Sequence, residues 1–388
     1  MSHASRPGRW IAVTAATILV VAACGTGQPS PSPSRAPASA PPATSTPGAP
    51  SSAEPSGEPS VEPIGAMGLI KELEPLSPAV TVKARVGSSL TTAPFWYAIE
   101  KGYFEQVGLG FEQVQIASSG DVVAPLVTGQ IDIAGTSFGS GLYNAILREI
   151  EVVAVADNGQ LDKDLAGSAA VVKAGTVGEY GTDWCALEGK KVIIVTRTTG
   201  LFVTLVKALE TCNLTEEDIE VVELGFAETN PAIENGSVDV AFQVEPFVSA
   251  GVAQGILDIW KPLDEAREGQ QMNMLLFSPT FAQNHDVALR FLVAYLAGAR
   301  DFRADAESGA PELGEILSKH LPVTDPAAYS GMIMMGIDPN GAIDVDSVRE
   351  SLEIYQQTGS LESGDLRLDW INDELRQEAL SYLPPFTP

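Results

Sequence analysis

At 388 residues, with 45% hydrophobic side chains, the chain is long enough for two or three packed domains. A formal net charge of −27 excludes a nucleic-acid partner, because a phosphate backbone calls for a basic surface. An anionic small ligand stays open, since a few local groups select it and not the total charge.

Residues 1–23 read as a targeting segment outside the fold. Arg6 and Arg9 give it a positive start, and residues 10–21 are an apolar stretch too short for a typical membrane span. Val21-Ala22-Ala23-Cys24 then resembles the lipobox of bacterial lipoproteins, which implies cleavage before Cys24 and lipid on its thiol and new amino group. An ordinary secretory peptide with a stray cysteine is the competing reading. Residues 24–79 follow as the lipidated cysteine and a linker; its Pro- and Ser-rich part cannot bury enough surface to fold. As a semi-extended tether it reaches at most about 130 Å at roughly 3.1 Å per residue. No later run is apolar enough to span a bilayer, so the expected product is a soluble, monomeric body on a lipid leash, outside the cytoplasmic membrane.

Ordered structure is expected from about Val80. Residues 82–87 alternate like a strand and stop at the polar turn Ser88-Ser89-Leu90-Thr91-Thr92; Pro94 then opens a helix over 95–101 that ends at Gly102. A strand at 111–116 leads to Ser118-Ser119-Gly120-Asp121, which caps a helix over 122–128. The phrase Gly129-Gln130-Ile131-Asp132-Ile133-Ala134 turns that helix into the next strand, and Thr136-Ser137-Phe138-Gly139-Ser140-Gly141 opens a helix over 142–148, with a strand at 152–156 beyond. This alternation predicts a mostly parallel sheet with helices on both faces.

Residues 157–180 read as a crossing that contains a short strand at 169–173. From Leu187-Glu188-Gly189-Lys190-Lys191 the alternation repeats: strand 191–196, helix 200–210, strand 219–224, helix 231–235, strand 238–244, helix 246–253 and strand 256–260. Here Gly236-Ser237-Val238-Asp239-Val240-Ala241 echoes the earlier phrase, Gly suiting the left-handed position past a helix end and a β-branched run starting a strand. The two copies therefore read as equivalent corners of two similar α/β halves with a cleft between them. A second crossing at 270–278 and a mainly helical tail, including 287–303 and 346–357, complete the chain. The tail is expected to pack on the first half. The division is then lobe 1 at 80–172 and 278–388, and lobe 2 at 173–277. Cys185 precedes one strand and Cys212 follows the helix after it, so both fall at the lower edge of one sheet, where a disulfide closes the unit.

In such sheets ligands bind beyond the carboxyl ends of the strands, at helix N-termini. Thr198-Thr199-Gly200 is the most informative of these turns: its hydroxyls and backbone suit a carboxylate, sulfonate or ring acceptor, or else simply cap the helix. Arg197 is either a bidentate anion partner or a surface strand residue. Ser137 and Phe138 occupy the matching place in the first half, and Trp96, opening a helix beside the Ser/Thr turn, offers a stacking face or core packing. Glu245 caps, contacts ligand or bridges the lobes. No catalytic, metal or cofactor motif is found: His3, His285 and His320 lie away from these turns, and there is no H-E-x-x-H, G-x-S-x-G or P-loop.

Gly102-Tyr103-Phe104 before Gly108-Leu109, Leu126-Val127-Thr128-Gly129-Gln130-Ile131-Asp132-Ile133-Ala134, Leu187-Glu188-Gly189-Lys190-Lys191-Val192, and Val238-Asp239-Val240-Ala241 with Glu245-Pro246 together resemble the solute-binding proteins of the sulfonate/nitrate/taurine and thiamine-precursor type (SsuA/THI5-like). The resemblance covers residues 80–280. It implies a two-lobed periplasmic-binding-protein fold (type II), with two parallel-rich sheets, two hinge crossings and delivery of a small solute to the permease subunits of an ABC importer. It also places ligand contacts on Ser88, Ser89, Trp96, Ser118, Ser137, Thr198, Thr199 and Glu245. The active-site histidine and cysteine-rich iron motif of pyrimidine synthases on this fold are missing, so a binding protein is expected and not an enzyme. A sulfonate or other organic anion is the first ligand class, from Arg197, Thr198 and Thr199; a planar vitamin precursor such as a thiamine pyrimidine is the second, from Trp96. An extracytoplasmic sensor is the alternative role.

Overall fold

The computed structural model describes residues 70–386 apart from residues 72, 88, 117–120 and 322. The targeting segment, Cys24, most of the linker, Ser88 and Ser118 lie outside the described residues. Among the described residues no helix is long and apolar enough to cross a membrane.

The strands are, in chain order, β1 (Val80–Arg85), β2 (Leu109–Gln113), β3 (Ile133–Ser137), β4 (Val153–Asp157), β5 (Gln160–Leu161), β6 (Ser168–Lys173), β7 (Lys191–Ile194), β8 (Glu220–Glu223), β9 (Val240–Val244), β10 (Leu257–Pro262), β11 (Gln270–Gln271) and β12 (Asn273–Phe277). They form two five-stranded sheets, ordered β2-β1-β3-β12-β4 and β10-β6-β9-β7-β8. Reading the second from its other end, β8-β7-β9-β6-β10, gives the order of the first strand for strand. In each sheet one strand runs against its neighbours: β12 is antiparallel to β3 and β4, and β6 to β9 and β10.

The repeated phrase does the same physical work in both halves. Gly129 and Gly236 sit at φ 68° and 73°, a left-handed conformation that ends a helix at little cost only for glycine. Ile131 and Val238 are buried, which anchors the turn. Asp132 Oδ2 accepts the Lys83 amide of β1 at 2.8 Å, and Asp239 Oδ2 accepts the Lys191 amide of β7 at 2.8 Å. Each aspartate thus ties the start of its sheet's central pair, and the strand that follows pairs in parallel with β1 or β7.

The lobe boundaries fall one strand earlier than the expected 172/173 and 277/278. β6 already belongs to the second sheet and β12 to the first, because each crossing strand enters its new sheet at once and inserts between resident strands. The same insertion makes the sheets parallel-rich with one reversed strand each. Residues 226–234 also differ from expectation: the helix is Phe226–Glu234 and not 231–235, starting ahead of Pro231 and taking in Thr229 and Asn230.

Between the lobes, β5 and β11 pair as an antiparallel ribbon. Residues 333–336 run beside it, with bonds from Gln160 N to Gly336 O (2.9 Å) and Gly167 N to Met334 O (2.9 Å). Asp157, fully buried where β4 enters the crossing, accepts Gln271 Nε2 at 2.6 Å, Gly159 N at 2.7 Å and Asp338 N at 2.7 Å. Burial pushes its carboxyl up to about 7 against these donors. The helix His285–Glu307 fills the first lobe, Phe95 and Tyr295 packing at 5.0 Å between ring centroids. The helix Val345–Gln357 departs from the expected packing on the first half alone: Glu350 pairs with Lys207 at 2.9 Å and Arg267 at 2.7 Å, so it leans on the second lobe's helix Gly200–Glu210. Cys185 and Cys212 are joined by a disulfide at the sheet edge remote from the strand carboxyl ends.

Candidate ligand-binding site

The carboxyl ends of β1, β3, β7 and β9 converge with the opposed amino ends of β6 and β12. They enclose a cleft of about 550 Å³, within the range that holds organic ligands. Ser89, Ser137, Thr198, Thr199 and Glu245 line it, drawn from both lobes. The lobes touch across it: Gly139 and Thr199 form an isolated antiparallel bridge, with Ser140 N donating to Thr198 O at 3.2 Å. Gln270 strengthens the same side, its Nε2 donating to Gly200 O at 2.8 Å and its Oε1 accepting Thr204 Oγ1 at 2.9 Å.

The polar residues at the cleft divide into those already satisfied and those still open. Ser137 Oγ donates to Asn273 Oδ1 at 3.1 Å, and Thr199 Oγ1 to Thr196 O at 3.0 Å, leaving each hydroxyl oxygen able to accept. Thr199 flanks the helix start without a side-chain cap bond, so plain capping does not account for it. Glu245 is almost fully buried and is taken up structurally: it accepts Ser249 Oγ at 2.8 Å, Ser249 N at 3.0 Å and Ile333 N at 2.9 Å. Burial raises its carboxyl above the usual range while these donors pull it back. Of its three possible roles, the geometry displays a local cap and a strap to the 333–336 segment, at the cleft's edge.

Three expected residues are placed elsewhere. Trp96 is 2% exposed; its ring stacks on His320 at 4.4 Å and its Nε1 donates to Thr92 Oγ1 at 3.0 Å, so it is core of the first lobe and has no face toward the cleft. Phe138 is buried and packs on Trp370 at 6.1 Å, because the chain at the end of β3 turns its ring inward. Arg197 points out to Glu216 and Glu223, each at 3.0 Å, and two carboxylates that near in sequence claim it before any ligand.

The cation at the cleft is instead Arg85, the last residue of β1. Its Nη1 donates to Gly135 O at 2.9 Å, its Nε has no partner, and among the described residues no carboxylate pairs with it. Burial pulls its guanidinium below the ordinary value. The hydroxyl of Thr136 in β3 and that of Ser140, at the start of the helix Ser140–Leu147, are also buried without partners. The local signal for Arg85 was slight: a charge closing the strand Val80–Arg85, three residues ahead of Ser88.

The profile of the NMT1/THI5-like family matches residues 90–308, more than half of the chain. Among solved structures, the fold is similar to the ligand-binding component of an ABC-type import system from Staphylococcus aureus with zinc bound (TM-score 0.61, 17% identity, 77% of this chain and 98% of that one). It is similar also to the periplasmic aliphatic sulphonate-binding protein SsuA from Escherichia coli (TM-score 0.56, 16% identity, 80% and 93%). The desulfurization enzyme DszB shares the architecture as well (TM-score 0.55, 13% identity, 78% and 99%). No curated protein sequence matches the chain. At these identities the likeness carries the two-lobed fold and not the ligand.

Proposed function

Since the chain belongs to the NMT1/THI5-like family, we propose that it is a lipid-anchored extracytoplasmic receptor that captures a small organic solute, an organic anion such as a sulfonate being the favoured class, for an ABC importer. One observation carries this reading: strand ends from both lobes line a single cleft of about 550 Å³. A solute seated there touches both halves, so its binding energy favours the closed arrangement over one in which the lobes stand apart. The two-strand ribbon and the crossings are the segments that absorb such a motion.

The anchor rests on the sequence of residues 1–24, and delivery to permease subunits on the family. The vitamin-precursor alternative drew on Trp96 and loses that support with the ring inside the lobe. Sensing in place of import is separated by the partner: a receptor for import stimulates a permease's ATPase when loaded. Mass spectrometry of solute released from the purified chain is the direct test of capture, with one dominant small organic solute expected. A preparation that carries none, and whose melting temperature no solute raises, contradicts the proposal.

A further inference from the structure

The unpaired polar atoms identify the ligand class, granted that the cleft is a receptor site. Arg85 Nε and Thr136 Oγ1 are buried without hydrogen-bond partners, as is Ser140 Oγ beyond the end of the same strand β3. Arg85 and Thr136 line the cavity itself, and Arg85 sits opposite Ala134 in the β1–β3 register, two residues from Thr136. A guanidinium at a cavity wall with no carboxylate partner among the described residues is a costly arrangement that a bound anion relieves. The helix beginning at Ser140 brings Gly141 and Leu142 of its first turn to the lining, its leading amide being taken by Thr198 O.

The rest of the lining restricts what that anion is attached to. Leu90, Leu142, Leu201, Phe226, Met272 and Met335 give most of the remaining surface an apolar character. Among the described lining residues Arg85 is the lone cation, and Glu245 the lone carboxylate, with its oxygens already engaged by Ser249 and Ile333. A second anionic group finds no second cation there, and an ammonium group is desolvated without a free carboxylate to receive it. A bare inorganic anion leaves the apolar space unfilled.

We propose that the cleft selects a monoanionic organic solute with an apolar body, its carboxylate or sulfonate seated on Arg85 and Thr136 and its body among the leucine, methionine and Phe226 side chains. Nitrate and zwitterionic aminosulfonates such as taurine are poor ligands.

The test is calorimetric titration of the full chain, freed of any co-purified solute, with benzoate, toluene-4-sulfonate, octanesulfonate, the neutral toluene-4-sulfonamide, taurine and nitrate. At least one of the apolar anions binds tenfold or more tightly than the sulfonamide, taurine and nitrate; benzoate against toluene-4-sulfonate tells which headgroup is preferred. Arg85→Gln lowers that affinity at least thirtyfold and Thr136→Val about fivefold, and the melting temperature of the unloaded Thr136→Val chain stays within a few degrees of the parent, which keeps the test valid should Arg85→Gln fold poorly. Equal binding of the sulfonamide, tight binding of taurine or nitrate, affinity indifferent to both substitutions, or binding of none of the apolar anions overturns the assignment. A neutral or zwitterionic solute recovered from the chain as purified also overturns it but leaves the receptor reading standing, whereas a chain that carries nothing and closes on nothing loses the receptor reading itself.

Discussion

Gly139→Ala separates closure of the lobes from their folding. Gly139 has an extended backbone, φ −160°, which any residue adopts, so alanine puts no strain on its own lobe. Across the cleft an added Cβ meets the Thr198 carbonyl oxygen at 2.1 Å, where ordinary contact begins at 3.4 Å. The tips therefore have to part by about 1 Å, since packed backbone does not compress. That separation breaks the 3.2 Å bond from Ser140 N to Thr198 O. Loss of such a bond costs about 0.5–1.5 kcal/mol, and forcing a methyl into a filled contact about 1–3 kcal/mol. Together these disfavour the closed form by roughly 2–4 kcal/mol, which is a thirtyfold to several hundredfold loss of affinity if closure and binding are one event. Titration with the solute recovered from the parent chain measures the affinity, and thermal melting of the solute-free chain measures the fold. Unchanged affinity refutes the closure argument. So does an affinity loss matched by an equal loss of solute-free stability, since the contact would then belong to the fold and not to closure.

Four further outcomes follow from the placements above. Trp96→Ala removes a ring packed on His320 and lowers stability by about 3–5 kcal/mol in urea unfolding, with affinity unchanged in the folded fraction; the reverse pattern would return Trp96 to the cleft. Arg197→Gln breaks half-exposed ion pairs with Glu216 and Glu223, so titration finds affinity within about twofold and stability within about 1 kcal/mol of the parent. Replacing Cys185 and Cys212 together by serine opens a crosslink spanning 27 residues and lowers the unfolding free energy by about 3 kcal/mol, without touching affinity. For Asp157, the folded chain holds the proton more tightly than an unfolded carboxyl near 3.9 does. Its contribution favours folding most below about pH 4 and is lost as pH rises to about 7; urea midpoints at pH 5 and 8 show a decline that Asp157→Asn flattens, while the aspartate's lost acceptor for Asp338 N lowers the baseline.

What could be read from the sequence was whatever short-range chemistry encodes. The glycine of the repeated phrase writes a helix stop ahead of a strand start, and the structure holds Gly129 and Gly236 left-handed; the aspartate's bond to the Lys83 or Lys191 amide was not read, because its partner lies on a distant strand. The two-sheet architecture followed from that repetition. The sheet membership of β6 and β12 did not, because a short buried apolar strand carries no mark of its distant partner. Side-chain direction failed for the same reason at Trp96, whose covering residue His320 arrives from more than two hundred positions away. Arg197 takes the surface place that the sequence left open to it: the carboxylates that occupy it lie within 26 positions and were open to notice, whereas nothing local reveals that Arg85 has no carboxylate partner. That takes the absence of a partner in three dimensions.

The account stands on two lobes that close over a solute, and an interlobe distance tests it most directly. Spin labels at the exposed positions Glu112 of the first lobe and Glu234 of the second report that distance by double electron–electron resonance, with the recovered solute removed and then restored. The account predicts a broad distribution of longer distances in the solute-free chain that collapses to one shorter, narrow population on loading. A single distribution, identical with and without solute, would contradict it.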